Sequence, residues 1–114
     1  MGVTEITNFK QYMDALEATT DEVGDSKNPL MIIDCYATWC PPCRAIAPKF
    51  EEYSDKYSQA AFYKVNVDEV EKVAMELGVR SMPTFIYFQD GIKVEEVVGA
   101  APQRIEETIV KFLE

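Results

Sequence analysis

Segments with the apolar pattern of β-strands alternate along this chain with segments of helical periodicity, and this alternation restricts the fold more than any other feature. Strands are predicted at 3–6, 30–37, 61–67, 84–89 and 93–98, and helices after Thr7, from about residue 42, and at 70–77 and 105–113. Strands that alternate with helices require a central sheet with helices on both of its faces. Because the last two strands form a hairpin, the predicted order βαβαβαββα gives a mixed sheet.

Capping and turn residues predict where these elements end. Thr7 is expected to cap the first helix, Gly78 to end the third, and Asp90-Gly91 to form a tight hairpin turn. Residues 24–29 are predicted to form a loop, and Pro48 to kink the second helix. The predicted buried faces of the first, second and last helices consist of Phe9, Tyr12, Met13 and Leu16, of Ile46, Phe50, Tyr53 and Tyr57, and of Ile105, Ile109, Phe112 and Leu113.

The length and charge of the chain limit its class. Its 114 residues predict a single domain over 1–114, and three cysteines do not make a disulfide framework, which favours a reducing cytoplasm. A net charge of −9 argues against nucleic acid as a partner and favours a monomer, because like charges keep copies apart. No secretion signal, membrane span or lipid anchor is recognised, so no membrane partner is expected.

The segment Trp39-Cys40-Pro41-Pro42-Cys43 carries the clearest chemical signal, because it follows a buried strand and precedes a helix. Two cysteines three positions apart on a first helical turn have Cα atoms roughly 5–6 Å apart, which suits a disulfide. Cys40, an exposed thiol beside the helix N-terminus, is expected to have a lowered pKa and to act as the nucleophile. Cys43 lies one turn deeper and is expected to stay protonated until it resolves a mixed disulfide.

The two prolines between the cysteines fit the first turn of a helix, since their φ is preset. They also remove two backbone donors near the Cys40 sulfur, including the one that Gly at position 41 would supply. The sequence therefore predicts a stiff and rather reducing centre.

Zinc is the alternative that a CxxC pair leaves open. A structural zinc site needs four nitrogen or sulfur ligands, and this chain has no His and only one further cysteine, Cys35. No metal site is therefore predicted, and Cys35 is interpreted as a small buried apolar residue.

Asp34 interrupts the apolar run that leads to the cysteines. An ionised carboxylate in such a strand is costly, so its pKa should be raised, and it is the best candidate for the base that takes the Cys43 proton. The alternative is a carboxylate that only forms hydrogen bonds at the end of a strand.

Taken together, five features resemble the thioredoxin family over essentially the whole chain. They are the lead-in 34–40, the CxxC with Pro42, the helical Pro48, Met82-Pro83-Thr84 and Val98-Gly99-Ala100. The resemblance implies the thioredoxin fold, a five-stranded mixed sheet flanked by four helices, and a general protein-disulfide reductase. It also implies no bound cofactor, and electrons that come from NADPH through a separate flavoprotein, thioredoxin reductase.

The resemblance also assigns roles to individual residues. It implies that the Met82–Pro83 bond is cis beside the disulfide, and that Lys64 lies near Asp34, although a solvated strand lysine is the equally open alternative. An apolar surface that binds disulfide-containing proteins is expected around Cys40, formed by Trp39, Pro41, Pro42, Met82, Pro83, Val98, Gly99 and Ala100. Pro41 departs from the family, which usually has Gly at this position.

Two other functions remain open at this point. An oxidase or isomerase would need a strongly acidic first thiol, and no positive residue lies between Cys40 and Cys43 to produce it. A binding module or chaperone with the same fold would use the apolar surface without chemistry.

Overall fold

A computed structural model describes residues 2–20 and 30–114. The elements are β1 (Thr4–Ile6), α1 (Phe9–Glu17), β2 (Leu30–Tyr36), α2 (Pro41–Lys56), β3 (Ala61–Asn66), α3 (Glu71–Leu77), β4 (Thr84–Gln89), β5 (Ile92–Val98) and α4 (Pro102–Leu113). This is the predicted order of five strands and four helices. Their ends lie within one residue of the prediction where bounds were given, except that the last helix begins at Pro102, three residues before the predicted 105. The predicted loop 24–29 lies outside the described residues.

The five strands form one mixed sheet in the order β1-β3-β2-β4-β5. β1, β3 and β2 are parallel to one another, whereas β4 is antiparallel to both β2 and β5. The central strand β2 is buried up to its last residue, which explains its nearly continuous apolar sequence. It ends at Tyr36, a short turn before Cys40, so a central and buried strand positions the cysteines.

Helices cover both faces of this sheet, and side chains alternate between the faces along β2. Met31, Ile33 and Cys35 point to the side of α1 and α3. Leu30 and Ile32 point to the other side, where α2 and α4 pack. By the same alternation Asp34 lies on the α2 side, the side from which the cysteines come.

Two predicted chain reversals are confirmed. Gly78 ends α3 with a left-handed φ of 70°. Asp90 and Gly91 join β4 to β5 with φ values of 55° and 77°, as a two-residue turn of this type requires.

Two details of α1 differ from the prediction. Its N-cap is Asn8, not Thr7, because the Asn8 side chain accepts a hydrogen bond from the Gln11 backbone N–H at 2.8 Å. The Thr7 N–H instead donates to the Gln11 side-chain oxygen at 2.7 Å. Met13 is 46% exposed, because Tyr12 and Ala15 occupy the core-facing positions of this helix.

Candidate redox-active site

Cys40 and Cys43 form a disulfide at the start of α2, with their Cα atoms 5.3 Å apart as predicted. Cys40 is the N-cap of the helix, and the Cys43 backbone N–H donates a hydrogen bond to the Cys40 sulfur at 3.2 Å. The helix N-terminus therefore directs one backbone donor at the sulfur that is expected to become a thiolate.

Pro41 and Pro42 occupy the first two helical positions, and they are not equivalent. An N-cap side chain accepts hydrogen bonds from the second and third helical residues, here Pro42 and Cys43. Only Pro42 therefore removes a donor that could reach the Cys40 sulfur. The expectation that a donor at position 41 would do so is not supported by this geometry.

Both cysteines are only 3% exposed, so the expectation of an exposed Cys40 is wrong for the disulfide form. They pack with Ala37, and Met82 covers part of this small cluster. The Cys40 sulfur lies 3.7 Å from the Met82 carbonyl oxygen. Met82 thus lies directly beside the Cys40 sulfur.

Asp34 is the acid that the structure places beneath the disulfide. It is 4% exposed, and its Oδ1 atom has no hydrogen-bond partner among the described residues. Burial raises the pKa of Asp34 to about 7, Lys64 acts in the opposite direction, and Glu5 raises it further. The predicted direction of the pKa shift is confirmed.

A cavity of about 180 Å³ connects Asp34 with the second cysteine. It is lined by Asp34, Tyr36, Thr38, Cys43, Arg44, Ala47 and Lys64. This volume is large enough for ordered water, and the lining supplies polar partners. The cavity thus offers a route for a proton between Cys43 and Asp34.

Lys64 is the direct neighbour of Asp34 across the β2–β3 ladder. Its ammonium nevertheless pairs with Glu5, at 3.8 Å from Oε1, and the Tyr36 hydroxyl donates to the same carboxylate at 2.9 Å. The sequence did not identify Glu5 or Tyr36 as part of the site. Their proximity follows from the register of three strands, for which the sequence has no local signal.

Trp39 is 62% exposed next to the cysteines, and its indole N–H donates to Asp68 at 2.8 Å. Asp68 lies in the turn after β3, where its backbone N–H donates to the Asn66 side chain at 2.9 Å. The sequence indicated only an acidic turn before α3. Asp68 is thus a third residue that sequence reasoning missed, and its hydrogen bond orients the indole.

The Met82–Pro83 bond is cis, as the resemblance implied. The Pro83 carbonyl accepts a hydrogen bond from the Gly99 N–H at 2.8 Å, which ties this loop to the end of β5. Val98 is 48% exposed there, and Ala100 packs against the core on the α2 side. Cys35 is fully buried on the opposite face, and burial raises the pKa of its thiol.

The sheet topology and a disulfide that caps a helix define the class of thiol–disulfide oxidoreductases with a thioredoxin fold. The sequence model of the family described as Thioredoxin matches residues 8–113. The chain belongs to the thioredoxin family, whose members exchange dithiols with disulfides and interact with disulfide substrates and reductases. Members generally need no bound cofactor.

Individual relatives agree with this assignment. Thioredoxin-1 of Schizosaccharomyces pombe is 49% identical over 100 residues, which are 88% of this chain and 94% of the relative. Thioredoxin-2 of Pyricularia oryzae is 46% identical over 109 residues, but the match spans 96% of this chain and only 58% of that longer protein. A crystal structure of reduced Schistosoma mansoni thioredoxin superposes with a TM-score of 0.87 at 40% identity, covering 98% of this chain and 99% of the other.

The described residues contain neither a helix that could span a membrane nor a cluster of metal-binding side chains. No helix there is long and apolar enough to cross a membrane. Within the same residues, no group of three or more His, Cys, Asp or Glu side chains is arranged to hold a metal ion.

Proposed function

We propose that this protein is a general protein-disulfide reductase in which Cys40 attacks, Cys43 resolves and Asp34 accepts the proton of Cys43. The observation that carries the proposal is the cavity shared by Cys43 and Asp34 beneath a disulfide at a helix N-terminus. This arrangement gives the two sulfurs different environments. Cys40 has a backbone donor, whereas Cys43 has an acid whose pKa of about 7 is suited to proton transfer at neutral pH.

The reaction has two exchange steps. The Cys40 thiolate attacks one sulfur of a substrate disulfide, which forms a mixed disulfide and releases the other sulfur as a thiolate that takes up a proton. Cys43 then passes its proton to Asp34, directly or through water, and attacks the Cys40 sulfur. The second substrate sulfur leaves as a thiolate, which takes up a proton from Asp34 or from water. Two electrons have then moved to the substrate, and Cys40 and Cys43 have become a disulfide.

Residues around Cys40, which except for the buried Pro83 are partly or largely exposed, would bind the substrate. Trp39, whose indole is hydrogen-bonded to Asp68, and Val98 at the end of β5 provide exposed apolar area. The Met82 carbonyl oxygen contacts the Cys40 sulfur. The proposed substrate-binding surface consists of Trp39, Pro41, Pro42, Met82, Pro83, Val98, Gly99 and Ala100. Lys64 would act on the proton step through Asp34, next to which it lies in the sheet.

The disulfide left after each turnover must be reduced again. The proposed donor is thioredoxin reductase, a separate flavoprotein that takes electrons from NADPH, and the proposed location is the cytoplasm, where thiols are kept reduced. Support comes from family membership and from a chain with only three cysteines. A monomer that binds no nucleic acid is proposed on the basis of the net charge of −9, and no membrane partner is proposed.

The test is reduction of insulin by dithiothreitol with catalytic amounts of the protein. Cys40→Ser should abolish catalysis and form no mixed disulfide with a substrate. Cys43→Ser should also be inactive but should accumulate the mixed disulfide, because the attacking thiol remains. If both variants trapped substrate equally, the assigned roles would be wrong. If the parent protein accelerated insulin reduction no more than Cys40→Ser does, the protein would act as a binding module.

A further inference from the structure

Three charged residues form a row across neighbouring strands at the edge of the site. Glu5 of β1 is the register partner of Lys64 of β3, and Lys64 is in turn the register partner of Asp34 of β2. Register partners on adjacent strands project to the same face of a sheet. Lys64 therefore lies between two acids: Glu5, which is partly exposed at the rim of the site, and Asp34, which is buried.

Lys64 forms an ion pair with Glu5 rather than with Asp34. The Lys64 ammonium lies 3.8 Å from Glu5 Oε1, and the side chains of Lys64 and Glu5 are 40% and 34% exposed. The Asp34 Oδ1 atom, by contrast, has no hydrogen-bond partner among the residues described. Lys64 is thus ion-paired with Glu5, and it acts on Asp34 through its charge, which lowers the pKa of that carboxyl.

Tyr36 holds Glu5 in this position. Its hydroxyl donates to both Glu5 oxygens, at 2.9 and 3.1 Å, and the Lys64 ammonium lies 6.0 Å from the centre of its ring. Tyr36 follows Asp34 by two residues in β2 and therefore shares its face. The Lys64 head group is held at the rim by a carboxylate and an aromatic ring together.

We propose that Glu5 is a positioning residue for the redox site: by holding the Lys64 ammonium at the rim, it determines how readily Asp34 takes the Cys43 proton. The inference deepens the proposed function and rests on it for the role of Asp34. If the Glu5 charge is removed, Lys64 becomes free to approach Asp34 and stabilises its ionised form. In addition, the negative charge of Glu5 no longer repels an ionised Asp34, and this loss also lowers the pKa of Asp34.

Other charged and titratable groups also face Asp34 and its cavities, and the experiment must separate them from Glu5. They are Tyr36 of β2, Lys64 of β3, and Cys43, Arg44 and Glu51 of α2. Glu51 lines the second cavity that Asp34 and Lys64 share, so it offers a matched acidic control on a different element.

The experiment is a carboxyl carbon NMR titration of Asp34 in the dithiothreitol-reduced protein. Glu5→Gln should lower the Asp34 midpoint by about half a pH unit, the size expected for one charge two strands away that also releases a cation. Glu51→Gln should move it distinctly less. In a Lys64→Met background the shift caused by Glu5→Gln should shrink by half or more, because the part of the shift that comes from movement of the Lys64 ammonium is lost.

An unchanged midpoint in Glu5→Gln would overturn the proposal. An equal shift in Glu51→Gln, or an undiminished shift in the Lys64→Met background, would also overturn it, since Glu5 would then act only as one surface charge among many. The readout does not depend on turnover. Loss of insulin reduction in the parent protein would therefore refute the proposed function without affecting this result.

Discussion

At the scale of single residues, the environment of the two sulfurs depends on which backbone N–H groups exist at the start of α2. The Cys40 sulfur accepts one hydrogen bond, from Cys43, and Pro42 lacks the N–H that could give a second. Pro41 also lacks an N–H, but a backbone N–H at position 41 would not point at the Cys40 sulfur. The two prolines should therefore differ in their effect on the redox potential.

We expect Pro42→Ala to lower the Cys40 pKa by about one pH unit, because one added hydrogen bond to a charged group contributes about 1.5–3 kcal/mol before losses in flexibility. The reduced form is stabilised, so the potential becomes less negative. Pro41→Ala is the matched control and should shift both quantities much less. Thiolate absorbance and equilibration with glutathione measure them. A larger effect at position 41 would show that the assignment of donors is wrong.

The raised pKa of Asp34 predicts how the rate of the second exchange step, the attack of Cys43 on the mixed disulfide, depends on pH. Its pKa of about 7 means that the carboxyl is largely protonated below this pH and can accept the Cys43 proton only above it. The decay rate of the mixed disulfide should therefore rise through pH 7 and level off. Asp34→Asn should lower the rate at pH 8 on the order of 10²-fold and remove the inflection. Single-turnover decay followed from pH 6 to 8 tests this, and an unchanged profile would make Asp34 structural.

At the scale of elements, α1 illustrates how a helix start is chosen between two adjacent capping residues. The Asn8 side chain bonds to the helix, while Thr7 bonds to the Gln11 side chain. Asn8→Ala should lower the free energy of unfolding by about 1 kcal/mol. Thr7→Ala should change it by less than about 0.5 kcal/mol, as for an exposed residue outside the cap. Urea unfolding of both variants measures the difference, and equal losses would contradict the assigned cap.

The same elements show what a sequence can predict. Gly78 and Asp90-Gly91 have strong local backbone preferences, so their positions were predicted correctly. Thr7 and Asn8 have similar capping preferences, and the choice between them depends on contacts with Gln11. Asp34 was identified because its own strand is apolar, whereas Glu5 and Asp68 were missed because their partners are 29 or more residues away in the chain.

At the scale of the whole molecule, the buried acid makes stability depend on pH. The pKa of Asp34 is about 7 in the folded state against 3.8 for the unperturbed group. Between these pH values the folded protein retains a proton that the unfolded chain has lost, so this group makes stability fall as the pH rises. Above pH 7 the ionised Asp34 lowers the free energy of unfolding by on the order of 4 kcal/mol.

We therefore expect Asp34→Asn to be more stable than the parent protein at pH 8, and to lose most of this advantage at pH 4. Urea unfolding of the disulfide form at both pH values measures the effect. The difference between the two proteins is the quantity to compare, because carboxylates that do not interact with Asp34 contribute equally to both. An advantage that did not depend on pH would show that the carboxyl of Asp34 is not the origin of the effect.

The burial of Asp34 has a consequence for directed evolution of this protein. A library screened only for heat resistance at alkaline pH should be enriched in replacements at position 34, since each neutral side chain there removes the cost of an ionised group. The selected proteins would be more stable but would turn over more slowly. A screen that rewards turnover in every round would retain the acid and would have to find its stabilising substitutions elsewhere, such as on the exposed face of α1.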